Sequence, residues 1–304
     1  MTALIFAYAG NDEPARACLP QSEFMNIAVT GASGFIGRRA CEFLQKRGHT
    51  TRPISLRSVP SPDSLKGCDA IVHLAGEPVA QRWTAAAKQR ILDSRVEGTR
   101  SLLTAMREHP PNVLVSASAV GYYGSRGDEI LTEQSPPASD FLGQVTTAWE
   151  HEALEAEKLG TRVVRLRIGV VLGPGGGALQ KMLLPFRMCV GGRLGSGAQW
   201  MSWIHLEDLV AMILFALRES TLRGVLNATS PHPVTNATFT RALAHALDRP
   251  AVIPMPALAL RLLFGEMSQV LLGSQRVIPE ATLLAGFEFR YPEIGAALIQ
   301  ILSS

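Results

Sequence analysis

Three glycines at fixed spacing, Gly31, Gly34 and Gly37, follow the short apolar run Ile27-Ala28-Val29. The run reads as a buried strand, and the apolar-periodic stretch from Phe35 to about Arg47 reads as a helix. Between the two, each glycine has its own task. Gly31 allows a sharp turn out of the strand. Gly34 lets the backbone come close to a pyrophosphate. Gly37 removes a side chain where helix and strand pack. The helix N-terminus then offers free N–H groups and a positive dipole end to phosphates. Thr30, Gly31, Ser33, Gly34, Phe35, Ile36 and Gly37 are therefore the expected cradle of a dinucleotide.

A second strand is expected over Thr50–Leu56. A site for NAD places Asp or Glu at the end of this strand, about 20 residues past the glycines, to bond the ribose 2′-OH. Here the chain has Leu56-Arg57-Ser58. Arg57 is placed to pair with a 2′-phosphate, and Ser58 to add a hydrogen bond. Arg38, just after the last glycine, is a second cation. The cofactor expected is thus NADP. A third strand, Asp69–Leu74, closes on Ala75-Gly76. Leu74, Ala75 and Gly76 let that loop lie against adenosine and pyrophosphate. His73 reads as a strand-end histidine whose backbone shapes the pocket, in preference to an acid or base.

The elements that must position these residues alternate along the chain. Further strands are expected at Asn112–Ser116, Thr161–Ile168 and Gly224–Ala228, with helices at Thr84–Glu108, Thr146–Lys158 and Glu207–Leu217. The alternation predicts an α/β fold, a Rossmann doubly wound parallel sheet. Asp208 is expected to cap or anchor its helix. From about Gly175 the alternation stops. Helices at Leu179–Val190, Thr235–Leu247, Ala257–Leu272 and Glu293–Leu302, with the segment Gly286–Tyr291, are expected to form a small C-terminal α+β lobe over a substrate cleft. The predicted division is 25–174 with 199–228 for the nucleotide domain, and 175–198 with 229–304 for the lobe.

Composition narrows the function classes. At 304 residues, 47% hydrophobic and 18% charged, the chain can bury a large core. A net charge of +3 with no basic tract gives no support for a nucleic-acid partner. Cys18, Cys41, Cys68 and Cys189 are scattered. They give no zinc pattern, so no metal site is expected, and they suit a reducing cytoplasm. No apolar run approaches the length of a span, so no membrane partner is expected. Residues 1–24 read as a disordered tail or an upstream extension of the natural start.

Across residues 25–302 the motifs TGASGFIG, HLAGEPVAQRWT, SRVEGTR, SASAVGYYG, RIGVVLGPGGGAL, GGRLGSGAQWMSWIHLEDL and NATSPHPVTNATFTRAL resemble the extended short-chain dehydrogenase/reductases. Within these, they resemble the epimerase family proteins of short-chain reductase family 39U, a label shared with nucleoside-diphosphate-sugar epimerase and SulA-like cell-division-inhibitor names. The resemblance implies an NADP-binding Rossmann domain and a small lobe. It also implies that Ser118, with Ser116 as alternative, holds the reacting oxygen. The loop Gly169–Pro174 would cover the nicotinamide, with Arg167 orienting it. A tyrosine and a lysine four residues later should move the proton. The lysine is needed because a phenol near its ordinary pKa of about 10 is a poor base at neutral pH.

This sequence departs from the pattern, since no Tyr or Lys occurs between Gly124 and Glu157. Phe141 and Val145 hold the nearest equivalent spacing. Tyr122 and Tyr123 are the local phenols, with Tyr123 the expected substitute acid. Two readings follow. One is an NADP-dependent oxidoreductase or epimerase acting on a small polar molecule such as a nucleotide sugar. The other is a protein that holds NADPH as a regulator. A homodimer through a bundle of Thr84–Glu108 and Thr146–Lys158 is also implied.

Overall fold

The computed structural model describes residues 24–303, and the tail expected over residues 1–24 falls, Phe24 apart, outside them. Six parallel strands make the central sheet: β1 (Asn26–Thr30), β2 (Thr50–Ile54), β3 (Ala70–His73), β4 (Val113–Ala119), β5 (Arg162–Ile168) and β6 (Gly224–Ala228). Their spatial order is β2-β1-β3-β4-β5-β6. The order reverses between β1 and β3. In open α/β sheets a ligand crevice opens at that switch, outside the carboxyl ends of the strands.

Helices α1 (Phe35–Gln45) and α5 (Leu206–Arg218) cover one face. They pack on Ile27, Val29, Val72, Val115 and Leu166 in one apolar core. Helices α2 (Ala85–Met106) and α3 (Phe141–Leu154) cover the other. That face has two halves. Near the strand starts Ala28, Ile71, Leu114 and Val163 pack on Leu102 and Met106 of α2. Near the strand ends the paired positions are polar: Thr30, His73, Ser116 and Arg165 in one row, then Ser118, Arg167 and Asn227 in the next. Register partners in a parallel sheet point the same way, so the polar rows collect beneath the crevice. Neither α2 nor α3 carries a large exposed apolar side chain.

A second core lies among α4 (Gly177–Arg187), α6 (Asn236–Leu247) and α10 (Ile294–Ser303), around Leu179, Phe186, Phe239, Leu243 and Leu298. Where one helix was expected over Ala257–Leu272, the structure has α7 (Ala257–Phe264) and α8 (Ser268–Leu272). Gly265, at φ +58°, breaks them apart. A short helix, α9 (Glu280–Leu284), precedes the segment 286–291, which forms no strand. The cap of α5 is His205, not Asp208: His205 Nδ1 accepts the Glu207 N–H at 3.0 Å. Asp208 instead anchors the C-terminal segment, accepting the N–H groups of Arg290 and Tyr291 at 2.9 Å each. Among the described residues no helix is long and apolar enough to cross a membrane.

Candidate functional site

The glycine loop is built as its spacing demands. Gly31 has φ +68°, and a Cβ there would lie 2.8 Å from Leu74 O and Ala75 N. The loops after β1 and β3 are thus in backbone contact at the switch point. A Cβ on Gly37 would collide with Gly31 O. Gly34 precedes α1 without a side-chain cap, and the first turn holds no acid. Its N–H groups and dipole end are left for a ligand. Ser33 and Gly34 are exposed, and Phe35 and Ile36 are half-buried. The loop Gly173–Gly177 closes on this cradle, with Phe35 filling the space where a Cβ of Gly176 or Gly177 would stand and Leu206, with Phe35 beside it, filling that of Gly173.

A directed chain of hydrogen bonds holds the second loop. Thr30 Oγ1 accepts the N–H groups of Leu74 and Ala75 at 3.2 and 3.3 Å and lies 2.6 Å from His73 Nδ1. Its one proton therefore goes to Nδ1, which acts as acceptor. His73 Nε2–H then donates to Thr99 Oγ1 at 3.0 Å, and Thr99 donates to the Arg95 carbonyl at 2.5 Å. Burial, reinforced by the Arg95 charge, holds the His73 pKa at about 4. His73 is a neutral structural residue that fixes the backbone of Leu74 and Ala75.

Arg95 stands directly behind Gly76, its guanidinium 3.2 Å from where a Cβ would be. Its Nη1 donates to the carbonyls of Glu77 and Ile91 at 3.1 and 3.0 Å, and its Cζ lies 5.0 Å from the Trp149 ring centre. Burial lowers its pKa to about 10 against the opposing charge of Glu77, so it stays cationic. The sequence placed Arg95 only within the helix expected over Thr84–Glu108. Its place beside the loop comes from packing.

At the far end of the crevice, Arg57 and Ser58 are exposed just past β2. Arg38 borders a groove of about 360 Å³ with Ser33, Thr51 and Pro53. Among the described residues the guanidinium groups of Arg38 and Arg57 make no hydrogen bond or ion pair.

Ser118 and Tyr123 are placed differently from the expectation that they meet substrate. β4 runs on to Ala119, so the pleat turns Ser116 and Ser118 beneath α3. Ser118 Oγ, buried, donates to Glu150 Oε1 at 2.7 Å. Glu150 also accepts two bonds from Arg167, at 2.8 and 2.9 Å, and one from Arg165 at 3.2 Å. Arg167 Nη1 donates to the Tyr123 hydroxyl at 2.9 Å, which donates to Asn227 Oδ1 at 2.6 Å. Tyr123 has no exposed surface, and burial pushes its pKa up to about 12 despite Arg167. Tyr123 is a structural phenol, and Arg167 belongs to this network. The residue at the strand end, Ala119, has only a methyl group. In the sequence Glu150 is one of several acids on the helix expected over Thr146–Lys158, and only its place beside Trp149 sets it apart.

The positions of the usual proton relay are packed with hydrocarbon. Phe141 meets Trp83 edge-on at 5.1 Å, and Val145 joins Trp83, Ile91 and Met267 in one cluster. Lys88 of α2 pairs with Glu266, and its Nζ is 5.4 Å from the Phe141 ring centre.

Fold and cleft define a dinucleotide-binding α/β protein of extended-reductase architecture. The chain belongs to the NAD dependent epimerase/dehydratase family, whose sequence model matches residues 27–228, and residues 255–301 match a domain of unknown function, DUF1731. It is 41% identical over 297 residues to the bovine (Bos taurus) epimerase family protein SDR39U1, covering 92% of this chain and 100% of that protein. The chloroplastic SDR39U1 homolog of Arabidopsis thaliana is 40% identical over 310 residues, 94% of this chain and 89% of its own length. The solved structure of human SDR39U1 (isoform 2) with NADPH superposes with a TM-score of 0.85 at 38% identity, covering 92% of this chain and 100% of that one. A UDP-N-acetylglucosamine 4-epimerase from Bacillus cereus, at 20% identity and a TM-score of 0.73, shares the fold. The family resemblance read from the motifs holds.

Proposed function

We propose that this chain binds NADPH in the crevice and holds it without the phenol–ammonium relay of sugar epimerases. The observation that carries this reading is the contrast between the two ends of the cleft. The cradle for phosphates is complete, whereas the relay positions Phe141 and Val145 are apolar and packed. In this reading the loop Thr30–Gly37 holds the pyrophosphate, and Leu74, Ala75 and Gly76 lie against it and the adenosine. Arg57 and Ser58 meet the 2′-phosphate, with Arg38 as a second cation. Arg95 adds positive charge behind Gly76. Bound NADPH would supply a hydride donor; at the relay positions Phe141 and Val145 stand two hydrocarbon side chains that cannot pass the accompanying proton. The human relative solved with NADPH supports the choice of cofactor. A regulatory, cell-division-inhibitor-like role is the reading preferred.

A second reading, turnover of a small polar substrate such as a nucleotide sugar, is favoured by the match of residues 27–228 to the epimerase family. Ser118 and Tyr123 do not serve it in the geometry described.

Thermal-shift titration with NADPH and NADH side by side, followed by cofactor absorbance and sugar analysis with nucleotide sugars, separates the readings. A ligand at about 100 times its dissociation constant adds roughly 2.7 kcal/mol of stability. We expect a large shift with NADPH, a small one with NADH, and neither oxidation nor sugar interconversion. No shift with either cofactor overturns the binding reading. Turnover overturns the non-catalytic one.

A further inference from the structure

Two segments outside the cofactor cradle, 181–193 and 249–264, lie side by side. Met255 N–H donates to the Arg193 carbonyl at 2.9 Å, Gly195 N–H donates to the Met255 carbonyl at 2.8 Å, and Leu194 pairs with Met255. Of the 17 exposed large apolar side chains among the described residues, 10 fall in these two segments. Leu184 and Met188 stand one turn apart at the end of α4, 64% and 63% exposed. Leu258 and Leu262 stand one turn apart on α7, 67% and 73% exposed. The inner sides of the same helices are anchored, with Phe186 and Leu260 buried. The exposed leucines are therefore the outer faces of helices already docked. A monomer seldom shows so concentrated an apolar surface without a use for it.

Within the two segments the charge has one sign, and of the acids that flank the second, Asp248 and Glu266, the latter is paired with Lys88. The two segments contain Lys181, Arg187, Arg193, Arg249 and Arg261, and no Asp or Glu. The guanidinium groups of Arg187, Arg193 and Arg261 make no hydrogen bond or ion pair among the described residues. A second copy of the chain on this face would bring one cationic rim against another. Apolar side chains at helical spacing, set among cations, fit the boundary between headgroups and acyl chains of an anionic bilayer.

We infer that this face docks on an anionic phospholipid surface, with Leu258 and Leu262 of α7 and Leu184 and Met188 of α4 entering the headgroup boundary and the five cations meeting lipid phosphates. Such contact needs no membrane span. The sequence led to the expectation of no membrane partner because it has no apolar run of spanning length; the contact proposed here departs from that expectation. The inference is independent of the cofactor reading.

The test is co-sedimentation of the full chain with vesicles of phosphatidylcholine alone, or with about one third phosphatidylglycerol. We expect at least about tenfold more bound protein on the anionic vesicles near 0.05 M salt, falling several-fold near 0.5 M as the charges are screened. L258E combined with L262E should abolish binding, and R187E combined with R261E should abolish the anionic preference. All four side chains are outward, so Tm should not change in either variant, which separates lost docking from lost folding. The inference is overturned if wild-type protein pellets no more with anionic vesicles than without vesicles, or if the leucine variant binds like wild type. It is equally overturned if light scattering shows a dimer, broken by the same leucine variant, that stays off vesicles.

Discussion

Thr30 Oγ1 and His73 Nδ1 meet at 2.6 Å and join the ends of β1 and β3 where the sheet order reverses. The bond requires a neutral His73, whose pKa is lowered by burial from 6.5 to about 4. Above pH 6.5 neither folded nor unfolded chain carries a proton there, and the group contributes no pH dependence. Between pH 6.5 and about 4 the unfolded chain takes up a proton that the native state refuses, so stability falls as pH falls. The loss sums to about 3 kcal/mol and is complete below pH 4. Urea midpoints of wild type and His73→Gln across this range should show a shallower slope for the variant. Equal slopes would refute the neutral assignment.

Tyr123→Phe should act on stability and leave the cofactor alone. It strips Asn227 Oδ1 of a donor and Arg167 Nη1 of an acceptor, both buried. The expected loss is about 1–3 kcal/mol. Denaturant unfolding measures it, and the NADPH thermal shift should keep its size. A variant of native stability that no longer responds to NADPH would place Tyr123 back at the cofactor.

Arg57→Ala should separate the two nicotinamide cofactors. Losing a cation that serves only the 2′-phosphate should weaken NADPH about tenfold, roughly 1.4 kcal/mol, and leave NADH unchanged. Arg38→Ala should act in the same direction. Calorimetric titration reads both. Equal weakening of NADH would mean that these arginines serve the shared pyrophosphate.

Gly37→Ala places a methyl against the Gly31 carbonyl, a backbone atom that cannot swing aside. We expect about 1–3 kcal/mol of destabilisation from overpacking together with loss of the NADPH shift. Ala at Gly67, where nothing lies within 4 Å but φ is +74°, should cost stability through backbone strain alone and leave the NADPH shift intact.

The cradle was legible because its determinants are local. Gly31, Gly34 and Gly37 sit within one turn-and-helix unit, so spacing alone carries the geometry. The relay end was legible in what it lacks, since Phe141 and Val145 have no ionisable group. What Ser118 and Tyr123 face was not legible. It depends on β4 continuing to Ala119, which sets the pleat, and on Glu150, Arg167 and Asn227 arriving from three other elements. The cap of α5 was misread for a similar reason. Asp208 is the residue type that caps helices, yet Arg290 and Tyr291, more than 80 residues on, claim its carboxylate.

The packing of Phe35 under Gly173, Gly176 and Gly177 has a bearing on how the chain is made. The glycine loop leaves the ribosome long before the segment that roofs it. At about 5–20 residues per second, the wait between Phe35 and Gly177 is on the order of ten seconds. Until then the first βαβ unit stands with an aromatic ring uncovered. A nascent or truncated chain ending before residue 173 would present that ring to chaperones and to other chains. The finished cleft is a late product of synthesis, although its signature is made well before the loop that roofs it.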